Sequence, residues 1–158
     1  MNFANLFQKE LIKLHAEFNS THEMFEVLSN DLIDNGYAET SFKQAIMERE
    51  KEFPTGLSTE KVQLAIPHTD TKHIKKPFIY VVKLNQPLRF LQMATTDTWL
   101  DINIIFMLGI KEPSKQVGLL SLIIDKFKDE QFVNTFHSIT SEEELLAILQ
   151  KQFRSEDE

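Results

Sequence analysis

The stretch Phe78-Ile79-Tyr80-Val81-Val82-Lys83-Leu84, FIYVVKL, is apolar at odd and even positions alike through its first five residues. A strand with one wet face alternates apolar and polar residues. A nearly continuous run instead suits a strand buried on both faces. Ile102 to Leu108, INIIFML, has the same character. The pair predicts a sheet with helices on both of its faces, hence an α/β domain.

Working outward, the residues before FIYVVKL supply helices and a shorter strand. Ser20 and Glu23 have capping-box spacing, Phe25, Leu28 and Leu32 follow at helical spacing, and Gly36 closes the element. Ser41 and Gln44 repeat that spacing and predict a second helix to about Glu52. Phe53 to Ser58, FPTGLS, reads as a loop because Pro54 and Gly56 break regular structure. Val62 to Ile66, VQLAI, alternates as a strand with Val62, Leu64 and Ile66 on one side, and Pro67 ends it. A further strand is read near Leu11 to Phe18.

Downstream of INIIFML the spacing becomes helical after Pro113, through Val117, Leu120 and Ile124. Phe127 to Phe136 predicts a short helix and its connection, and a last helix starts near Thr140 or Ser141. Met24, Met47, Met93 and Met107 read as packing residues, and Trp99 as a partly buried anchor.

The 158 residues fit one domain, with an ordered core over about residues 3–152 and an acidic tail over 153–158. A net charge of −7 and a basic cluster limited to Lys72, Lys75 and Lys76 argue against nucleic-acid binding. Cysteine is absent, which removes thiol chemistry and gives no sign of an oxidising compartment. The chain opens without a signal-peptide pattern, and its longest apolar run is about half the length of a membrane helix. A cytoplasmic location without membrane insertion is expected by elimination.

Candidate chemistry centres on Ala65-Ile66-Pro67-His68-Thr69-Asp70, AIPHTD. His68, Asp70 and His73 form H-x-D-x-x-H, a potential zinc set for a metal-dependent hydrolase. On an irregular loop, however, they share no fixed face. Neither a G-x-S-x-G elbow nor a phosphate-binding glycine loop can be built from the four glycines. His68 remains as a lone nucleophile, since a neutral imidazole can attack a phosphoryl group unaided. The product would need a cation. Arg49 lies inside a predicted helix and its planar fork suits phosphate oxygens, although ion pairing with Glu48 or Glu50 is the plainer role. His15, His22 and His137 read as surface or core-edge residues.

In their order, Ala45-Ile46-Met47-Glu48-Arg49-Glu50, Pro54-Thr55-Gly56-Leu57 and Ala65-Ile66-Pro67-His68 resemble the type-2 (fructose and mannitol) enzyme IIA proteins of the phosphoenolpyruvate-dependent sugar phosphotransferase system. The likeness runs from about Ser20 to Leu149, with Ile104–Leu108 and Leu119–Leu122 matching the family's buried strand and following helix. It implies a mixed sheet of about five strands with helices on both faces. It also implies His68 as the phosphorylated residue, reacting through Nε2, with Arg49 neutralising the phosphoryl oxygens. HPr would be the donor and a cognate enzyme IIB the acceptor, with no metal or cofactor.

Two departures stand out. The family's mannitol and fructose members usually have glycine after the histidine, where this chain has Thr69-Asp70. They also carry a second histidine at the start of the helix after the INIIFML-type strand, where Gln116 stands here. A glutamine amide can donate to a phosphoryl oxygen without titrating. The FPTGL and AIPHTD wording is similar to the galactitol-type branch of stand-alone chains, which implies polyol uptake. The nitrogen-related branch, a regulatory phosphocarrier, is the alternative.

Overall fold

The computed structural model describes residues 2–155. It contains β1 (Ile12–Ala16), α1 (Thr21–Asp34), α2 (Phe42–Glu52), β2 (Gly56–Ser58), β3 (Gln63–Ala65), β4 (Phe78–Leu91), β5 (Trp99–Gly109), α3 (Pro113–Lys128), α4 (Glu130–Ser138) and α5 (Glu142–Gln152). The sheet is mixed, in the order β1-β4-β5-β3-β2. β1 is parallel to β4 and β3 to β5, while β4–β5 and β2–β3 are antiparallel. This is the α/β class expected, a single domain with five strands and helices on both faces.

The two continuous apolar runs explain the layering. Ile79, Val81, Ile104, Phe106 and Leu108 point into one core with α3, α4 and α5, where Phe127 meets the rings of Phe106, Phe132 and Phe136. Phe78, Tyr80, Val82, Ile105 and Met107 point into a second core beneath α1 and α2. Beyond Lys83 the register of β4 against β5 shifts, and Leu88 and Phe90 alternate with exposed or part-exposed neighbours. The outer half of the hairpin is therefore covered on one face only. Pro87 lies in the shifted stretch, where a residue without an N–H costs the ladder nothing.

Local signals mostly do what chemistry dictates. The Ser20 hydroxyl accepts the Glu23 N–H at 3.0 Å, capping α1, and Gly36 takes a φ of +80° just beyond its end. Ser141, not Thr140, caps α5 by accepting the Glu144 N–H. Asp129 caps α4.

Several expectations change. Ser41 does not cap α2. Its hydroxyl is joined to His73 Nδ1 at 2.8 Å, and Gln44 donates to Glu48 instead. Part of FPTGLS is a strand: Gly56–Ser58 pairs with Gln63–Ala65. Helix α3 is where it was expected but turned, burying Leu119, Ile123 and Phe127 and leaving Val117 64% exposed. Trp99 is 53% exposed. Phe153, assigned to the tail, is buried and packs against Phe7 in a tilted arrangement with ring centroids 5.0 Å apart. The rest of the expected tail, from Glu156 onward, lies outside the described residues.

Candidate functional site

Because β3 and β5 are parallel neighbours, their C-terminal ends open at the same end of the sheet. The chain leaves β3 through Ile66 and Pro67, and the Pro67 carbonyl accepts the Leu108 N–H at 2.9 Å. This bond ties the loop to the end of β5 and places His68 just outside the sheet. In open α/β sheets, the crevice beyond the carboxyl ends of strands is where ligands are handled.

His68 is partly buried, and its Nδ1 lies 2.8 Å from the carbonyl oxygen of Ile66. A carbonyl can only accept, so Nδ1 carries the proton and Nε2 keeps its lone pair. Burial pushes the imidazole below its ordinary pKa; the Ile66 bond opposes that and the positive charge of Arg49 adds to it. The ring is thus neutral at pH 7, with Nε2 as the free nucleophilic nitrogen. In a proton NMR titration, His68 should keep the Nδ1–H tautomer and titrate below 6.5. A midpoint above 6.5 would mean that a counter-charge, and not desolvation, governs the ring.

Arg49, on the last turn of α2, comes from the α1/α2 face of the sheet. Its guanidinium stacks over the Phe53 ring at 4.3 Å, and one amino group lies 3.7 Å from Asp70. Its Nε is buried without a partner. Neither flanking glutamate pairs with it: Glu48 accepts from Gln44, and Glu50 accepts both the N–H and hydroxyl of Thr55 at 2.7 and 2.8 Å. Arg49 is therefore free to meet an anion, with only a long, largely exposed ion pair to displace.

The Glu50–Thr55 clasp clarifies the Arg-Glu and Thr-Gly-Leu pieces of sequence. Burial pushes the Glu50 carboxyl up to about 7, against the downward pull of the Thr55 bonds. The clasp hands the chain to Gly56, which lies so close to β4 that an added Cβ would sit 2.5 Å from the Leu91 carbonyl oxygen. Only glycine permits that approach, which sets the start of β2 against the end of β4, where Gly56 also bridges to Gln92.

Gln116 stands in the first turn of α3, which packs on the opposite face of the sheet from α2. It is partly buried, and its Oε1 has no hydrogen-bond partner. The structure brings Arg49 into electrostatic contact with His68. Gln116 shares their end of the sheet, because α3 follows the exit of β5. The three side chains of H-x-D-x-x-H disperse: His68 goes to Ile66, Asp70 to Arg49, and His73 to Ser41. No cluster of three or more potential metal-binding side chains occurs among the described residues.

Asp70 as a partner of Arg49, Phe53 as its platform and the Ile66 carbonyl were not evident from sequence. Thr69 is buried with its hydroxyl turned to the Asp70 carbonyl, and its φ is not positive. The position after His68 therefore does not require glycine here.

A neutral histidine with a free Nε2, under the positive charge of an arginine at the exit of a parallel strand pair, is an arrangement able to accept an anionic group. The sequence profile of the phosphoenolpyruvate-dependent sugar phosphotransferase system EIIA 2 family matches residues 5–152, and the chain belongs to that family. It is 28% identical over 124 residues to the galactitol-specific EIIA component of the phosphotransferase system from Escherichia coli K12, covering 78% of this chain and 82% of that relative. Against the mannitol-specific IIA component of Halalkalibacterium halodurans it is 28% identical, covering 89% and 91% of the two chains. The fold is similar to that in the solution complex of enzyme IIA-mannitol with phosphorylated enzyme IIB-mannitol from Escherichia coli. There the TM-score is 0.71 at 21% identity, over 92% of this chain and 97% of that one. Among the described residues no helix is long and apolar enough to cross a membrane.

Proposed function

We propose that His68 accepts a phosphoryl group from phospho-HPr and passes it to a cognate enzyme IIB that serves sugar or polyol uptake at the cytoplasmic side of a permease. The observation that carries this reading is the Nδ1–H to Ile66 bond, which leaves Nε2 as the free nitrogen beside Arg49. In the transfer, the Nε2 lone pair attacks phosphorus in line with the donor's N–P bond. The new N–P bond forms as the old one breaks, and the donor imidazole leaves with its electron pair. The His68 ring gains imidazolium character, which the Ile66 carbonyl stabilises through the retained Nδ1 proton. Arg49 faces the phosphoryl oxygens in place of Asp70, and Gln116 donates an amide hydrogen from the α3 side. Such transfer depends on positioning and charge stabilisation more than on acid–base chemistry. The acidic net charge of −7 suits a basic donor face. The galactitol-type relative supports a polyol as the transported sugar.

The test is intact-mass analysis after incubation with phosphoenolpyruvate, enzyme I and HPr. One acid-labile phosphoryl adduct is expected; no adduct while HPr itself is phosphorylated would overturn the reading. Arg49→Ala should slow both acceptance and donation by about 10²–10³-fold, as expected for loss of a preorganised charge. Wild-type rates would leave Arg49 as only a surface pair with Asp70. Gln116→Ala should slow transfer to IIB by roughly tenfold without preventing phosphorylation, in line with one lost hydrogen bond to a charged group. Unchanged rates would remove Gln116 from the site.

A further inference from the structure

A cavity of about 230 Å³ lies at the outer end of the β4–β5 hairpin, between it and helices α1 and α2. Its walls include Phe25, Met47, Phe90 and Trp99, all outside the phosphoryl-transfer site described above. An apolar cavity of about 150 Å³ already holds a benzene ring, so this one has room for a ring and a short substituent. Three aromatic side chains offer faces and edges to such a ring.

The rim specifies the substituent. Arg89 and Lys51 line the cavity, and neither forms an ion pair among the described residues. Asp101 stands opposite Arg89 in the β4–β5 register, yet the Arg89 guanidinium lies over the Trp99 ring at 5.3 Å. The acid of the cavity, Glu50, has both oxygens turned to Thr55. An acidic chain thus presents two unpaired cations around an apolar hole, with a 53%-exposed tryptophan at its edge.

We infer that this cavity is a binding site for a small aromatic carboxylate. The ring enters among Phe25, Met47 and Phe90, and the carboxylate is held by Arg89 and Lys51. The site is independent of the His68 reading, because binding involves no phosphoryl transfer.

Trp99 is the chain's only tryptophan, so its fluorescence reports on the cavity directly. Phenylacetate is the probe, benzyl alcohol supplies the ring without the charge, and acetate the charge without the ring. Phenylacetate should give a saturable change, benzyl alcohol should bind about tenfold more weakly, and acetate should give no response. Since Arg89 touches Trp99, the Arg89→Gln variant is read by the Met47 methyl NMR shift, with Lys51→Gln as a second variant. Each should weaken phenylacetate toward the affinity of benzyl alcohol. Absence of saturation with phenylacetate, equal affinity for the neutral ring, or an unchanged affinity in both variants would overturn the inference.

Discussion

The His68→Ala variant should take up no phosphoryl group under conditions that fully load the wild-type chain, while His73→Ala should load normally. The difference follows from what each ring does. The Nδ1 proton of His68 is fixed by Ile66 and its Nε2 lone pair is the acceptor proposed above, so alanine leaves nothing to attack phosphorus. His73 sits on a short turn with Nδ1 bonded to the Ser41 hydroxyl, so its loss removes one exposed contact between that turn and α2. Neither change should unfold the domain. Removing the His68 ring forfeits one hydrogen bond, worth about 1 kcal/mol, and leaves the Leu108–Pro67 tie intact. The comparison is made by intact mass at alkaline pH, with circular dichroism to confirm both folds. Residual loading of His68→Ala at the wild-type level would move the acceptor to another histidine. Loss of loading in His73→Ala with the fold intact would mean that the H-x-D-x-x-H set acts together after all.

Sheet and site were legible in sequence to different depths. FIYVVKL and INIIFML disclosed a doubly covered sheet because burial on both faces removes alternation, and Ser20 and Ser141 revealed helix starts because their hydroxyls have local N–H partners. The orientation of α3 was not legible. Val117, Leu119, Leu120, Leu122, Ile123 and Ile124 populate more than one stripe, so the choice of buried face belongs to the sheet beneath. Ser41 had the spacing of a cap, but a histidine 32 residues away claimed its hydroxyl. Trp99 looked like an anchor because large aromatics usually are; the one-sided outer hairpin leaves it at the rim of a cavity instead. At the site, AIPH pointed to His68 as the proposed nucleophile, and the arginine fork pointed to Arg49 as its proposed counter-charge. The Ile66 carbonyl that selects the tautomer, the Phe53 platform and the Asp70 pairing depend on backbone direction and long-range approach, which residue spacing does not encode.

The substitution with the largest expected effect on stability is Gly109→Ala. Gly109 ends β5 and is paired with Phe78 at the start of β4. A Cβ at this position would lie 2.1 Å from Cε2 of Phe78 and 2.5 Å from two further ring carbons. The ring has nowhere to go. Phe78 is fully buried, and its ring meets Tyr37 and Phe42 edge-on, each at a centroid distance of 6.0 Å. The backbone is held too, because the adjacent Leu108 N–H supports the Pro67 carbonyl and with it the His68 loop. The expected loss is about 3 kcal/mol, at the upper end for overpacking a core, or about 10 °C in Tm for a domain of this size. Chemical denaturation of Gly109→Ala, Phe78→Leu and the double variant measures the clash itself. If the aromatic ring is the obstacle, the double variant should be at least 1 kcal/mol more stable than the sum of the two single losses requires. Additive losses would place the strain in the backbone. The His68 resonances then locate where it is relieved: unchanged shifts mean that the α1/α2 core absorbs it, while a moved Nδ1–H signal means that it passes through Leu108 and Pro67 to the His68 ring.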